Sequence, residues 1–281
     1  MTEATPRQLA GMNAMFHANG PTFWELAEQA LSSTERGYDL LAPKFDYTPF
    51  RTPDAILDRV ADYLRPLAPL GAGLDVCCGT GAGMRMLRPL CRDRVVGVDV
   101  SVRMLAEACR RTAAAPGTAA LHLVRANALQ MPFNAAFDLA VCFGAFGHIL
   151  PRDEGRFVAQ VARSLRPGGR FVFVTSYLPP WWSLSYWLAR AFNGAMRLRN
   201  LLLAPPFIMY YLTFLLPEVK ELLEAHGFDV EVRDDAFEKP WNVLRLVIAT
   251  RRQDIHGEFW PSELNHESTK NESTKETGHS A

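Results

Sequence analysis

The chain has 281 residues, 48% of them hydrophobic and 21% charged, so it supports a substantial buried core and excludes wholesale disorder. Its length allows one large domain or two small ones. Lysine plus arginine and aspartate plus glutamate balance at 30 each, which argues against bulk attraction to nucleic acid or anionic lipid and leaves room only for a local basic patch.

From the N-terminus, residues 1–20 lack a basic start followed by an apolar run, so no secretory signal is expected. Phe16, Phe23, Trp24, Leu26, Ala27, Ala30 and Leu31 recur at roughly helical spacing, predicting one or two amphipathic helices that cap the domain. Gly37 to Tyr47 is interrupted by glycine and proline and reads as irregular. Its aromatic residues lie just upstream of a glycine-rich stretch, in a position to fold over a ligand. Thr52 then caps a helix with Pro53 at its first position, and Ile56, Leu57, Val60, Ala61 and Leu64 form the buried stripe.

The stretch from Gly71 to Gly83 is the centre of the pattern. Its first half is a short apolar strand carrying Asp75 at its carboxyl end, and its second half is a turn built on Gly79, Gly81 and Gly83. Helical spacing follows at Met84, Leu87 and Leu90. A strand, a bare turn and a helix N-terminus make a cofactor cradle. A second strand, Arg94 to Asp99, again ends in an acid, and Ser101 caps the next helix. An acid roughly twenty residues beyond the glycines is where ribose hydroxyls are read in dinucleotide-type folds; the competing reading is that Asp99 merely caps that helix.

Further strands are expected at Leu121–Val124, Phe137–Phe143 and Arg170–Thr175, with a helix from about Arg152 to Leu165 stopped by Arg166-Pro167-Gly168-Gly169. The alternation implies an α/β fold: a Rossmann-like seven-stranded sheet, mostly parallel, with helices on both faces. A helix from Pro217-Glu218 to His226-Gly227 precedes Phe228–Val232 and Val243–Thr250, which read as an antiparallel C-terminal hairpin. Between the strand ending at Thr175 and that helix, residues 177–216 are unusually aromatic, and Arg190, Arg197 and Arg199 carry their only charges. The uncharged run 201–216 is shorter than the ~20 residues that span a bilayer and is broken by Pro205-Pro206. It reads as a lid over an apolar substrate; lying in a membrane surface with its arginines at the headgroups is the other reading, and a lipid substrate satisfies both. The domains are then a helical cap at 1–52, a main domain at 53–252, and a polar, repetitive tail at 253–281 that is expected to be disordered.

Cys77, Cys78, Cys91, Cys109 and Cys142 form no C-x-x-C pair, so they read as reduced, buried thiols of a cytoplasmic protein without a metal site. A nicotinamide fold requires G-x-G-x-x-G, but Met84 occupies the third glycine's place. Asp75 would also repel a pyrophosphate, and no Gly-Lys-Ser/Thr follows for a P-loop. Asp75 instead suits a cationic or zwitterionic ligand.

Leu74-Asp75-Val76-Cys77-Cys78-Gly79-Thr80-Gly81 resembles the first motif of class I S-adenosylmethionine-dependent methyltransferases. Val98-Asp99-Val100-Ser101 with Met104-Leu105 resembles their second strand and helix. Ala126-Asn127-Ala128, Met131-Pro132-Phe133 and Phe137-Asp138-Leu139 resemble the G-D-A-x-x-L-P-F and F-D-L region, and Leu165-Arg166-Pro167-Gly168-Gly169 the L-(R/K)-P-G-G turn. Tyr38-Asp39 and Phe45-Asp46 resemble the N-terminal segment of the branch that includes menaquinone and ubiquinone C-methyltransferases. The resemblance covers about residues 36–175 and, more weakly, 213–250. It implies S-adenosyl-L-methionine as cofactor, with Asp75 and the Gly79–Gly81 backbone at the methionine end and Asp99 at the ribose. Asn127 and Ala128 would meet the adenine, and Phe143 would line the methionine side. Cys77, Thr80, Val100, Met104 and Tyr38 complete the implied cofactor contacts. Two departures stand out: Cys77 replaces a common glycine, and Asn127 replaces the usual aspartate while keeping an acceptor oxygen.

Methyl transfer from a sulfonium depends largely on alignment, and an O- or activated C-nucleophile gains from a general base. His148, beyond the fourth strand, is the candidate base, with a packing role as the competing reading. The expected acceptor is a hydrophobic small molecule (quinone-like, aromatic or polyketide, or lipid) and not nucleic acid. A peripheral contact of 177–216 with the inner face of a membrane also fits. A lipid amine N-methyltransferase and a non-catalytic cofactor-binding or membrane-associated accessory protein on the same fold remain as alternatives.

Overall fold

The computed structural model describes residues 17–253. The expectations for a secretory signal, for Phe16 and for the polar tail beyond Gln253 lie outside the described residues.

Seven strands form one sheet: β1 (Leu70–Val76), β2 (Cys91–Asp99), β3 (Ala120–Arg125), β4 (Phe137–Cys142), β5 (Leu165–Ser176), β6 (Phe228–Arg233) and β7 (Leu244–Arg251). Their order is β3-β2-β1-β4-β5-β7-β6. The first five run parallel, and β7 lies antiparallel between β5 and β6. Chain order therefore reverses between β1 and β4, which opens a crevice at their carboxyl ends. These central strands are covered on both faces, so β4 reads as an almost unbroken apolar run with Leu139, Ala140, Val141 and Cys142 all buried.

One face of the sheet packs a phenylalanine cluster: Phe146, Phe157, Phe171, Phe173 and Phe214. The rings of Phe146 and Phe214 stack with centroids 4.3 Å apart. The other face packs Ile56, Leu57, Val60, Leu64, Met84 and Leu87. Burying each such side chain contributes about 1.5–3 kcal/mol, so the two layers hold the sheet that the crevice depends on.

Eight α-helices are found among the described residues: α1 (Phe23–Leu31), α2 (Thr34–Leu41), α3 (Asp54–Leu64), α4 (Ala82–Leu87), α5 (Val102–Thr112), α6 (Glu154–Ser164), α7 (Leu184–Leu202) and α8 (Glu218–Ala225). Thr22 and Glu25 close a capping box on α1, and the Ser101 hydroxyl accepts the Met104 N–H at the start of α5, as expected. The Gly227 turn after α8 has φ 83°, the left-handed stop its glycine allows.

Three boundaries depart from the sequence reading. Gly37–Tyr47 is helical: α2 runs through Gly37 and a 3-10 helix follows over Ala42–Tyr47. Gly37 is needed for contact, since a Cβ there would lie 2.7 Å from the Phe207 ring. Pro43 falls in the first turn of the new helix, where its missing N–H costs nothing. Thr52 does not cap α3: Pro53, extended at ψ 143°, is the boundary residue and the helix begins at Asp54. Finally, the helix ends at Ser164 just before Arg166-Pro167-Gly168-Gly169, as expected, but that segment is already part of β5, as a bulge with a register shift against β4 and Gly168 at φ 76°. The Arg166 guanidinium pairs with Asp138 at 2.7 Å across that bulge.

The 177–216 insert divides into an outer helix and an inner strap. α7 is the outer part. Asn193 and Asn200, seven residues apart and so on one helix face, grip the strap through paired amide bonds. Asn193 donates to the Tyr211 carbonyl and accepts from the Tyr211 N–H, both at 2.8 Å. Asn200 donates to the Phe207 carbonyl at 3.0 Å and accepts its N–H at 2.9 Å. The strap is tied inward by Tyr210 N–H to the Gly147 carbonyl (2.8 Å), Ile208 N–H to Thr34 Oγ1 (2.8 Å) and Thr175 Oγ1 to the Phe214 carbonyl (2.7 Å).

Candidate active site

A cavity of about 630 Å³ opens at the carboxyl ends of β1, β4 and β5, roofed by residues 208–213 of the strap and closed at one side by α2. Tyr38, Asp75, Cys77, Gly79, Thr80, Asp99, Val100, Met104, Asn127, Ala128, Phe143 and His148 all line it. Gly81, also named from sequence, does not. At φ 83° it is the N-cap of α4, and a Cβ there would lie 2.7 Å from Thr112 and 3.2 Å from Ala108. Its missing side chain lets α5 approach and leaves the ligand side to Gly79.

The loop after β1 is shaped by left-handed residues at Cys77 (φ 56°) and Gly79 (φ 50°). Cysteine tolerates this conformation less well than the glycine common at its position, and the loop keeps it while Cys78 N–H bonds the Val98 carbonyl at 2.9 Å. Asp99 braces the start of α5, whose cap is Ser101, while also bordering the cavity. Its carboxylate accepts the Ser101 N–H and the Gly79 N–H, each at 2.9 Å. Each oxygen keeps a further lone pair for a hydroxyl donor. Burial pushes its carboxyl above the usual range, against the backbone N–H groups that hold it down.

Asp75 is buried, and burial pushes its carboxyl up to about 8, aided by the nearby Asp99 charge and opposed by the Met84 N–H. Its Oδ2 has no hydrogen-bond partner. Gly83 makes room for the group, since a Cβ there would fall 2.6 Å from Oδ2. The other buried polar atom without a hydrogen bond among the described residues is Arg51 Nε, and Arg51 borders the same cavity. The Arg51 guanidinium already pairs with Asp54, and its Nε lies 3.8 Å from Asp46, so Asp75 is the group whose free oxygen fits the ammonium of an amino-acid ligand. The residues therefore fit S-adenosylmethionine: Asp75 for its amino group and Asp99 for its ribose. Asn127 fits less simply. It is exposed, and its Oδ1 already accepts the Leu129 N–H at 2.9 Å, so any adenine contact shares that oxygen.

The N-terminal segment is latched onto this floor by two acids. Asp46 accepts the Thr80 hydroxyl at 2.6 Å and pairs with Arg111 at 2.9 Å. Asp39 accepts the Ser101 hydroxyl at 2.5 Å and the Arg103 N–H at 3.1 Å. Thus the aromatic segment does cover the loop, held by side-chain hydrogen bonds and one ion pair.

On the opposite wall, Tyr38 Oη lies 2.7 Å from His148 Nε2, and His148 Nδ1 lies 2.6 Å from the Ile208 carbonyl. A carbonyl only accepts, so Nδ1 carries the proton and Nε2 accepts the Tyr38 hydroxyl. Burial holds the imidazole below the ordinary histidine range and raises the Tyr38 phenol, keeping both neutral. His148 borders the cavity, but its Nε2 lone pair is taken by the Tyr38 hydroxyl.

Arg51, the strap carbonyl at Ile208 and the Asp39 and Asp46 latches were missed from sequence, although the acids belong to a motif noted there. Arg51 follows no spacing rule, and a main-chain carbonyl from sixty residues away leaves no mark in the sequence. The cysteines also differ from expectation. Cys78, Cys91 and Cys142 are buried, but Cys77 is half-buried at the cavity and Cys109 is exposed on α5.

The reversed strand order, the glycine loop after β1 and the acid ending β2 define a Rossmann-like methyltransferase class of domain. Residues 74–169 match a family described as Methyltransferase domain. The chain is 33% identical over 100 residues to an O-methyltransferase of Penicillium expansum, covering 35% of this chain and 36% of that protein. It is 34% identical over 113 residues to a demethylmenaquinone methyltransferase of Symbiobacterium thermophilum, covering 38% and 43%. These matches span less than half of either relative. An O-methyltransferase family protein from Burkholderia thailandensis shares the fold at TM-score 0.59 and 14% identity, over 88% of this chain and 70% of that one. Residues 74–169 are thus similar to a methyltransferase domain, set in a fold shared with a solved methyltransferase-family structure.

Proposed function

We propose that the protein transfers a methyl group from S-adenosylmethionine to an oxygen or activated carbon of a hydrophobic small molecule: a quinone-like ring, an aromatic or polyketide product, or a lipid. The observation that carries this reading is the composition of the acceptor side. Ile208, Met209, Tyr210, Tyr211 and Leu212 of the strap line the cavity together with Phe143 and Phe146, and the Tyr38–His148 pair, bonded to the Ile208 carbonyl, supplies a polar group beside them. We read residues 177–216 as the acceptor-binding part of the domain. When bound, the cofactor supplies an electrophilic methyl group on a sulfonium.

The chain's own residues do the rest. Asp75 orients the cofactor's amino group, and Asp99 fixes the ribose. The strap and the Phe143 side exclude water, which favours a reaction in which charge is lost. An acceptor hydroxyl donating to Tyr38 Oη passes its proton there while the Tyr38 proton moves to His148 Nε2. The Ile208 carbonyl then steadies the imidazolium through Nδ1–H. Such positioned proton transfer contributes typically 10²–10⁴-fold.

A labelled-methyl transfer assay with mass-spectrometric product analysis tests the proposal on phenols, quinols, lipid extracts, polar amines and RNA. Transfer to apolar acceptors, lost in Asp75→Ala, supports it. Transfer confined to amines or RNA overturns it.

A further inference from the structure

The outer face of α7 is built the wrong way round for a helix that faces water. Positions 184, 187, 188, 191, 195, 198 and 202 share one face at helical spacing, and none is charged. That face is the exposed one. Leu184, Trp187, Leu188, Leu198, Leu201 and Leu202 are all exposed, Leu201 to 81%. The polar residues Asn193 and Asn200 point inward instead, committed to the strap. Just before the helix, Trp181 and Trp182 are exposed as an edge-to-face pair with centroids 5.8 Å apart. On the neighbouring α1, Phe23 and Trp24 are exposed too.

Within residues 177–217 the charges all have one sign, whereas the neighbouring α1 carries Glu25, paired with Lys44, and Glu28. Residues 177–217 contain no aspartate or glutamate. Arg199 is spent on carbonyls of Ala30, Ser32 and Pro205, but Arg190 and Arg197 are exposed along the margin of the apolar face. An apolar stripe roughly 27 Å long, with tryptophans at its end and arginines at its margin, has the form of an interfacial helix. No helix among the described residues is long and apolar enough to cross a membrane, so the geometry is that of a helix lying in the surface.

We propose that α7 and the Trp181-Trp182 turn dock the protein on an anionic lipid bilayer. α7 holds the roof of the cavity through Asn193 and Asn200, so the element that meets the bilayer also walls the acceptor site. The acceptor would then enter from the membrane, an extension that rests on the function proposed above; the docking itself does not.

Vesicle co-sedimentation of the full chain, with phosphatidylcholine alone and with about one third phosphatidylglycerol, tests this. Binding is expected to the anionic vesicles, weakened by salt, and lower by roughly tenfold or more in Leu198→Glu/Leu201→Glu. Arg190→Gln/Arg197→Gln should lose most of the salt dependence. Both variants should keep the melting temperature and S-adenosylhomocysteine affinity of the parent, because the altered side chains face outward. Absence of binding to either vesicle overturns the proposal, as does undiminished binding by the glutamate variant. A dimer that this variant converts to monomer also overturns it, by showing that a second copy covers the face. Vesicle binding without methyl transfer to any acceptor would sink the enzymatic reading and leave the docking intact.

Discussion

Asp75 is held in the ligand-free protein at a high energetic cost, because a carboxylate buried without a full set of partners is disfavoured in its charged form. With its carboxyl raised to about 8, the folded state holds a proton that the unfolded state releases near the ordinary carboxyl value. Its contribution to stability is therefore present at low pH and lost as pH rises towards about 8, with a limiting slope of about 1.4 kcal/mol per pH unit. Asp75→Asn should flatten that fall in denaturant titrations between pH 5 and 8 (roughly the window this shift defines). A cationic cofactor binds the ionised form, so parent affinity for S-adenosylmethionine should rise with pH up to about 8, and the Asn variant should show no such rise. Tyr38 and His148 give a separate prediction. Tyr38→Phe should lower turnover by about 10²–10⁴-fold. The acid limb of the parent's rate profile should lie below the ordinary histidine range, since burial lowers that imidazole. A limb at or above that range would remove His148 from the proton path.

At the scale of elements, the strap is only as well placed as the two asparagines that hold it. Tyr211 is exposed, so water replaces the Asn193 bonds readily, whereas the Asn200 bonds to Phe207 are half-buried. Asn200→Ala should cost about 1–3 kcal/mol in denaturant unfolding and Asn193→Ala under about 1 kcal/mol. Both should raise the KM for an apolar acceptor more than that for the cofactor. Sequence periodicity reads α5, α8 and the strands well, because local signals and the tertiary environment agree there. Ser101 caps what it is expected to cap, and Gly227 stops what it is expected to stop. It fails at Gly37 and Pro43, where tertiary contact with Phe207 and a first-turn proline turn apparent breakers into helix. It ends the helix before Pro167-Gly168-Gly169 correctly but starts β5 too late, because the strand already begins at Leu165 and takes these residues in as a bulge.

For the whole molecule, the cofactor half was far more legible than the acceptor half. Asp75, Gly79 and Asp99 lie within thirty residues of one another and follow a spacing set by one strand-turn-helix unit, so a linear pattern encodes them. The acceptor wall joins Tyr38, His148 and Ile208 from three distant segments through side-chain and carbonyl contacts that no local period records. The aromatic insert signalled an apolar role but not its division into an inward strap and an outward helix. That division depends on two asparagines facing in while the leucines face out.

The placement of β7 carries a consequence for how the protein is made. β7 is the last strand of the sheet in sequence, yet it pairs along β5 from Arg170 to Ser176 and along β6 on its other edge. Synthesis runs from the N-terminus, so β5 waits with one edge open while some seventy residues are added, and an open parallel edge invites pairing with another chain. The nascent protein should therefore need a chaperone or fast synthesis through this interval. A chain stopped at Val243 should partition into the insoluble fraction on expression, while one that includes Arg251 should not, a difference read directly by centrifugation of the lysate.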